Sequence, residues 1–153
     1  MAINNHERVG KALDLLKDVL VPFVVRELKA QRAQLWFEQA RASVSDSQAD
    51  LFAAQGKPRW DAAALLVVMW NQWNEVFTRT LGKAERTLVS ELRNRWAHQK
   101  TFSSDDAYRA LDSASRLLSA VSTPQADEIE KMKMELLRLR FDEQVRSAAV
   151  EAA

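Results

Sequence analysis

Residues 61–99 read DAAALLVVMWNQWNEVFTRTLGKAERTLVSELRNRWAHQ, and the spacing of their apolar side chains decides the fold class. Leu65, Val68, Met69, Trp73 and Phe77 recur at three- and four-residue steps, the period that gathers side chains on one face of an α-helix. The run after Asp61 is apolar enough to cross the centre of a bundle, and Asp61 supplies the acceptor that a helix start needs. Gly82 is read as the C-terminal cap that ends this helix. Leu88, Leu92 and Trp96 then return at four-residue steps and predict a second helix over KAERTLVSELRNRWAHQ, residues 83–99.

The same period continues outward. Toward the N-terminus, from about His6 to Val44, Leu13, Leu16, Leu20, Phe23, Val24, Leu28 and Leu35 fall on one stripe. Pro22 interrupts it and predicts a kink or a break, with a second segment beginning at Pro22, because proline removes a helical hydrogen bond and clashes with the preceding turn. SVSDSQADLFAAQGKPR, from Ser43 to Arg59, is small and polar and predicts the main loop, about residues 43–60. Toward the C-terminus, Ser103 and Asp106 form an acidic capping box for a helix through Val121. Thr123 and Pro124 restart the chain into a last helix, about residues 126–150. Its Ile129, Met132, Leu136 and Leu139 make a seam that suits either the bundle or a partner helix. Three Gly and three Pro in 153 residues leave little material for hairpins. The expectation is an all-α protein, an antiparallel helical bundle of about five or six helices in one domain spanning residues 1–153.

Composition removes several function classes. Without cysteine there is no disulfide, thiol chemistry or thiolate metal site, and two isolated histidines, His6 and His98, cannot close a zinc site. Redox and zinc chemistry are excluded on that ground. A net charge of +1 argues against holding nucleic acid by bulk electrostatics, although residues 59–102 carry seven basic against four acidic side chains. No run reaches the length of about 18 apolar residues that spans a membrane, and the N-terminus lacks a signal-peptide layout. A soluble, cytoplasmic protein is expected.

One short segment combines an ionisable base with cationic and amide neighbours: Arg93, Asn94, Arg95, Trp96, Ala97, His98. Imidazole exchanges protons near neutral pH, and guanidinium offers a permanent charge and a planar fork of donors to a phosphate that gains charge in a transition state. Asn94 and His98, four apart, share a helical face, whereas Arg93 and His98, five apart, diverge by about 140° on an ideal helix. Both meet one phosphate only if the helix frays near His98 or a second subunit completes the site, which makes a dimer the natural arrangement. The plainer alternative places His98 at a helix end, bonded to local carbonyls, and Arg93 and Arg95 on a solvated face. Trp70 and Trp73 are expected in the core, Trp96 in packing or base stacking, and Trp36 and Trp60 as anchors of the main loop. His6 falls in a frayed terminus and is given no role.

The string RNRWAH resembles the signature of the HEPN superfamily, the higher eukaryotes and prokaryotes nucleotide-binding domains. PFVVREL at Pro22, WNQWNEVF at Trp70, GKAERTLVSELRNRWAHQ at Gly82, FSSDDAYRALDSASRLLSAV at Phe102 and ADEIEKMKMELLRLRFDEQVR at Ala126 extend the resemblance from about Val9 to Arg146. They are similar to the branch found in a nuclear messenger-RNA surveillance endonuclease and, in bacteria, near or fused to large phage-defence ATPases. The resemblance implies a bundle that dimerises with two RNRWAH segments facing one cleft, acting as a metal-independent endoribonuclease that needs no cofactor, in bacterial defence or stress response, in the manner of a toxin. His98 would then assist attack by the ribose 2′-hydroxyl or protonate the leaving oxygen, Arg93 would stabilise the phosphorane, and Asn94 would orient one of them. Lys83, Arg86, Arg95 and Lys100 surround the motif in the basic third of the chain, where they either guide an RNA backbone or form a solvated charged face. The implied partners are RNA, a second copy and a defence-system ATPase or helicase. In one respect the chain departs from the pattern: Leu92 runs straight into Arg93 where the family usually has about three more residues, a difference that turns a helix by about 60°. A catalytically inactive dimerisation or nucleic-acid-binding module that regulates a larger defence ATPase is the alternative.

Overall fold

The computed structural model describes residues 4–44, 61–96 and 101–152, Thr123 by its backbone only. These form α1 (Asn5–Arg32), α2 (Trp36–Ala42), α3 (Ala62–Asn71), α4 (Lys83–Glu91), α5 (Ser104–Ser119) and α6 (Thr123–Ala152), with a 3-10 turn at Ala33–Leu35 and π-helical segments at Trp73–Phe77 and Leu92–Trp96. Among the described residues there is no strand, and the protein is all-α as its periodicity implies. Of the expected main loop, residues 45–60 lie outside the described residues, Trp60 with them.

The helix starts are those the polar residues dictate. Asp61 Oδ1 accepts the Ala64 N–H at 2.7 Å. Ser103 Oγ accepts the Asp106 N–H at 3.1 Å, while the Asp106 carboxylate accepts the Ser103 N–H at 3.3 Å. Burial then selects the faces. α5 packs against α1, α4 and α6, and α3 against α1 and α4. Leu16, Leu20, Val24 and Leu28 of α1 meet Leu65, Leu66 and Met69 of α3 and Leu111, Leu117 and Leu118 of α5, all fully buried. On α6, Ile129 and Leu136 are buried, and Met132 and Leu139 half-buried.

Several expectations are corrected. α1 runs through Pro22 without a break, because Pro22 sits on the solvent side, where water can satisfy the carbonyl that its missing N–H leaves free. The chain breaks instead at Ala33, whose φ of 50° and ψ of −124° lie where an L side chain is strained. That break ends the apolar register, so Leu35 is 54% exposed rather than part of the stripe. Gly82 does not cap the end of a helix. Its φ of −102° is extended, and it precedes α4 as the N-cap, its N–H donating to Glu85 Oε2 at 3.1 Å. Trp70 is half-buried rather than in the core, whereas Trp73 is buried. His6 belongs to the first turn of α1, its ring 6.2 Å from that of Phe102.

The break at Ala33 is held by a polar junction. Arg32 Nη2 donates to Gln72 Oε1 at 2.9 Å, Gln72 Nε2 donates to Ser43 Oγ at 2.8 Å, and Ser43 Oγ donates to the Gln39 carbonyl at 2.8 Å. The ends of α1, α2 and α3 are thereby tied at one buried amide. A second polar cluster joins α5 to α6. Lys133 Nζ donates to Asp112 Oδ1 at 3.0 Å and to Glu130 Oε1 at 2.8 Å, and Ser115 Oγ donates to Glu130 at 2.7 Å. The bonds from Lys133 and Ser115 hold the Glu130 carboxyl below its ordinary value of 4.5. Burial pushes the Lys133 amine down, but its bonds to Glu130 and Asp112 outweigh that and leave it above 10.5.

Both features bear on stability. Replacing Ala33 by Gly removes the strain of a positive φ and should raise stability by about 1 kcal/mol, or a few degrees in Tm, read by thermal denaturation. The lowered Glu130 contributes stability that is present above 4.5 and is lost as pH falls through its folded value, while the raised Lys133 contributes stability that is present below 10.5 and is lost as pH rises through its own. Lys133→Met should therefore destabilise by about 1–2 kcal/mol near neutral pH. Urea melts across pH should show that deficit shrinking on acidification, as the orphaned carboxylates protonate.

Candidate functional site

α4 and the turn beyond it carry the charged segment. Lys83 and Arg86 are exposed near the start of α4, and Ser90 lies near its end on the same face, three and seven residues on from Lys83. At Leu92 the α-helix gives way to the π-helical segment, in which hydrogen bonds run from residue i to i+5 and the backbone widens. The apolar anchors explain where the segment sits: Leu92 is fully buried and Trp96 is 2% exposed. Between them Arg93 is half-buried, and Asn94 and Arg95 are exposed.

The polar side chains of this turn form a short relay. Asn94 Nδ2 donates to Ser90 Oγ at 3.3 Å, and Asn94 Oδ1 accepts from Arg93 Nη1 at 2.9 Å. Ser90 thus fixes the amide, and the amide fixes one edge of the guanidinium. A guanidinium carries five donors, so the Arg93–Asn94 bond leaves most of the fork available to an anion. Arg93 Nε and Trp96 Nε1 are both buried and have no hydrogen-bond partner among the described residues. Behind the turn, Ser113 of α5 donates to Glu91 Oε2 at 3.3 Å, which holds that acid on the α5 side. Among the described residues no ion pair engages Lys83, Arg86, Arg93 or Arg95.

The structure brings Arg93 and Asn94 into direct contact and sends the other cations elsewhere. Arg95 lies over the Trp96 ring, its guanidinium carbon 4.8 Å from the ring centroid, and Arg86 lies over Trp70 at 4.9 Å. Lys83 projects from the first turn of α4. His98 and Lys100 lie outside the described residues. The 100° per residue that separates Arg93 from its neighbours on an ideal helix does not hold through Leu92–Trp96, because a π turn takes more residues per revolution.

Two participants escape local sequence reasoning. Ser90 is visible in hindsight as the residue four before Asn94 on one face, a spacing that lets the side chains meet. Phe102, whose ring lies 6.2 Å from those of both Trp96 and His6, joins residues from opposite parts of the chain, and no spacing rule reaches that far.

The family profile described as Swt1-like HEPN matches residues 11–122, from the second turn of α1 to just beyond α5. No curated protein and no solved structure matches the chain. Among the described residues, no helix is long and apolar enough to cross a membrane. The profile covers most of the sequence and includes the Arg93–Trp96 turn. It agrees with the all-α bundle that the periodicity implies and makes the chain a nucleic-acid-related module. On these grounds the protein is a member of the Swt1-like HEPN family.

Proposed function

We propose that the protein is an endoribonuclease of HEPN type that cuts RNA without a metal, at a composite site to which two copies contribute, and that residues 1–153 act as one domain. The observation that carries this reading is the Ser90–Asn94–Arg93 relay, which holds a permanently charged fork in place with most of its donors unpaired. Preorganised donors of this kind stabilise a charge that develops only in the transition state. His98 takes the proton of the ribose 2′-hydroxyl, or returns one to the leaving group. The 2′-oxygen bonds to phosphorus, the 5′-oxygen departs with a proton, and a 2′,3′-cyclic phosphate and a 5′-hydroxyl result. Arg93 meets the phosphorane oxygens, Asn94 orients Arg93, and Lys83, Arg86, Arg95 and Lys100 hold the flanking backbone.

The π segment also supports this reading. Deleting three residues from an ideal helix advances the rest of that helix by about 60°, and a turn with more residues per revolution rotates it back in the opposite sense. The proposed setting is cytoplasmic, in bacterial defence or stress response with a toxin-like action, and a defence-system ATPase or helicase is a natural partner for a domain of this branch. The rival reading, a non-catalytic dimerisation or nucleic-acid-binding module that regulates such an ATPase, is favoured by the same Arg93–Asn94 bond, since it already satisfies one edge of the guanidinium within the chain.

Cleavage of total RNA in excess EDTA separates the two. The native protein should cut, His98→Ala should lower the rate by about 10²–10⁴, and Arg93→Ala by about 10²–10³. Both variants should keep the dimer, read by light scattering. Equal inactivity of native protein and variants, with the dimer intact, would establish the module instead.

A further inference from the structure

Between the first turns of α1 and the start of α3 lies a groove of about 220 Å³, walled by His6, Trp96 and Phe102, with Gly10, Asp14 and Asp61 along its floor and rim. We infer that this groove receives one guanine base of the RNA strand whose phosphate lies at Arg93. The inference rests on the nuclease reading for the identity of the strand, and on the groove itself for the base.

Pockets for drug-sized ligands occupy roughly 300–1,000 Å³, so a groove of this size suits a single heteroaromatic ring system. Its wall is aromatic: the Trp96 and His6 rings each stand 6.2 Å from Phe102, tilted by 32°. Trp96, 2% exposed, gives the wall only an edge, so a base would stack on the exposed His6 and half-buried Phe102 rings, and stacking of this kind contributes about 1–3 kcal/mol per base whatever the base. Arg95, over the Trp96 ring at 4.8 Å, stiffens that wall.

The space is also kept open at a cost. Gly10 lies inside α1 with no positive φ, and a Cβ built there would meet nothing within 4 Å. Glycine in a helix interior is less stable than alanine by roughly 0.5–1 kcal/mol. Neither backbone conformation nor internal packing asks for it here, whereas an occupant close to the helix does.

The polar groups then choose the base. Asp14, four residues after Gly10 and on its face, is exposed and has no hydrogen bond or ion pair among the described residues. Asp61 has one oxygen committed to the Ala64 N–H. A free carboxylate needs adjacent donors, and guanine presents N1–H and its 2-amino group side by side. Uracil sets a single N–H between two carbonyl oxygens, which a carboxylate repels, and adenine places an acceptor nitrogen beside its amino group. Trp96 closes the turn that begins one residue before Arg93, so on the nuclease reading a base against Trp96 and a phosphate at Arg93 would belong to one strand.

The experiment titrates the native chain with guanosine and with uridine by calorimetry. Neither carries a phosphate, so Arg93 is not engaged. Guanosine should bind at least tenfold more tightly. Asp14→Asn, an exposed change, and Gly10→Leu, which fills the groove, should each weaken guanosine binding at least fivefold while circular dichroism shows the same helix content. Gly10→Ala, which keeps the space nearly open, should melt higher than the native protein and retain most of the guanosine affinity. Equal affinity for the two nucleosides, or unchanged guanosine binding by both Asp14→Asn and Gly10→Leu, would overturn the assignment. A guanine-containing hexaribonucleotide should displace guanosine; failure to do so would make the ligand a free nucleoside and overturn the assignment to RNA. Guanosine binding by a protein that never cuts RNA would sink the nuclease reading and leave the groove as a guanine site. Cutting that ignores guanine, with both groove variants as active as native, would sink the groove alone.

Discussion

The charged turn depends on two apolar side chains being pulled inward on either side of it. Leu92 and Trp96 are buried against the bundle, each contributing roughly 1.5–3 kcal/mol or more, while the three residues between them are polar and must keep their heads near water. With the backbone widened between the two anchors, Arg93, Asn94 and Arg95 come out at the surface with Ser90 one turn behind. π turns of this kind recur where function requires a departure from regular geometry. The energy that holds the turn open is hydrophobic, and the chemistry it presents is electrostatic. Changes to the core near Trp96 therefore act on Arg93 without touching it.

A similar division holds at the other end of the bundle. Gln72 ends α3 and precedes the first π-helical segment, and its buried amide joins Arg32 to Ser43. Without those bonds a buried amide would carry the full penalty of desolvation. The junction also orders α1 relative to α3, the two helices whose first turns border the groove.

The features legible in the sequence are those that local rules govern. Apolar spacing marks the helices, and Asp61, Ser103 and Asp106 mark their starts, because a capping side chain needs partners only two or three residues away. Pro22 misleads because its effect depends on which face it occupies: on the solvent side the unpaired carbonyl is hydrated and the helix continues. Gly82 misleads because glycine serves at either end of a helix, and only the extended φ of −102° and the bond to Glu85 distinguish an N-cap. The π segments leave no mark, since LRNRW has nothing in its composition to separate it from an α-helical turn. At the site, Arg93 and Asn94 are legible as neighbours but not as a bonded pair. The Trp96–Phe102–His6 wall is not legible at all, because tertiary packing alone brings those rings together.

Charge adds a constraint of its own. A chain with a net charge of +1 has little general attraction for a polyanion, and its acidic residues outnumber the basic ones after residue 102, so the field of the whole molecule does not hold a strand. On the proposed reading, affinity must therefore come from a few local contacts: a fixed guanidinium, some exposed cations on α4 and a stacked base. One copy supplies only a handful of phosphate contacts, and the salt dependence of its binding should be correspondingly shallow. Two copies sharing a strand join their half-sites through one continuous backbone, which raises the effective concentration of the second contact without any new chemistry. On that reading, a domain that recognised RNA by a few ordered groups rather than by bulk charge would gain most from pairing, and the same pairing would supply a second imidazole for the phosphate at Arg93.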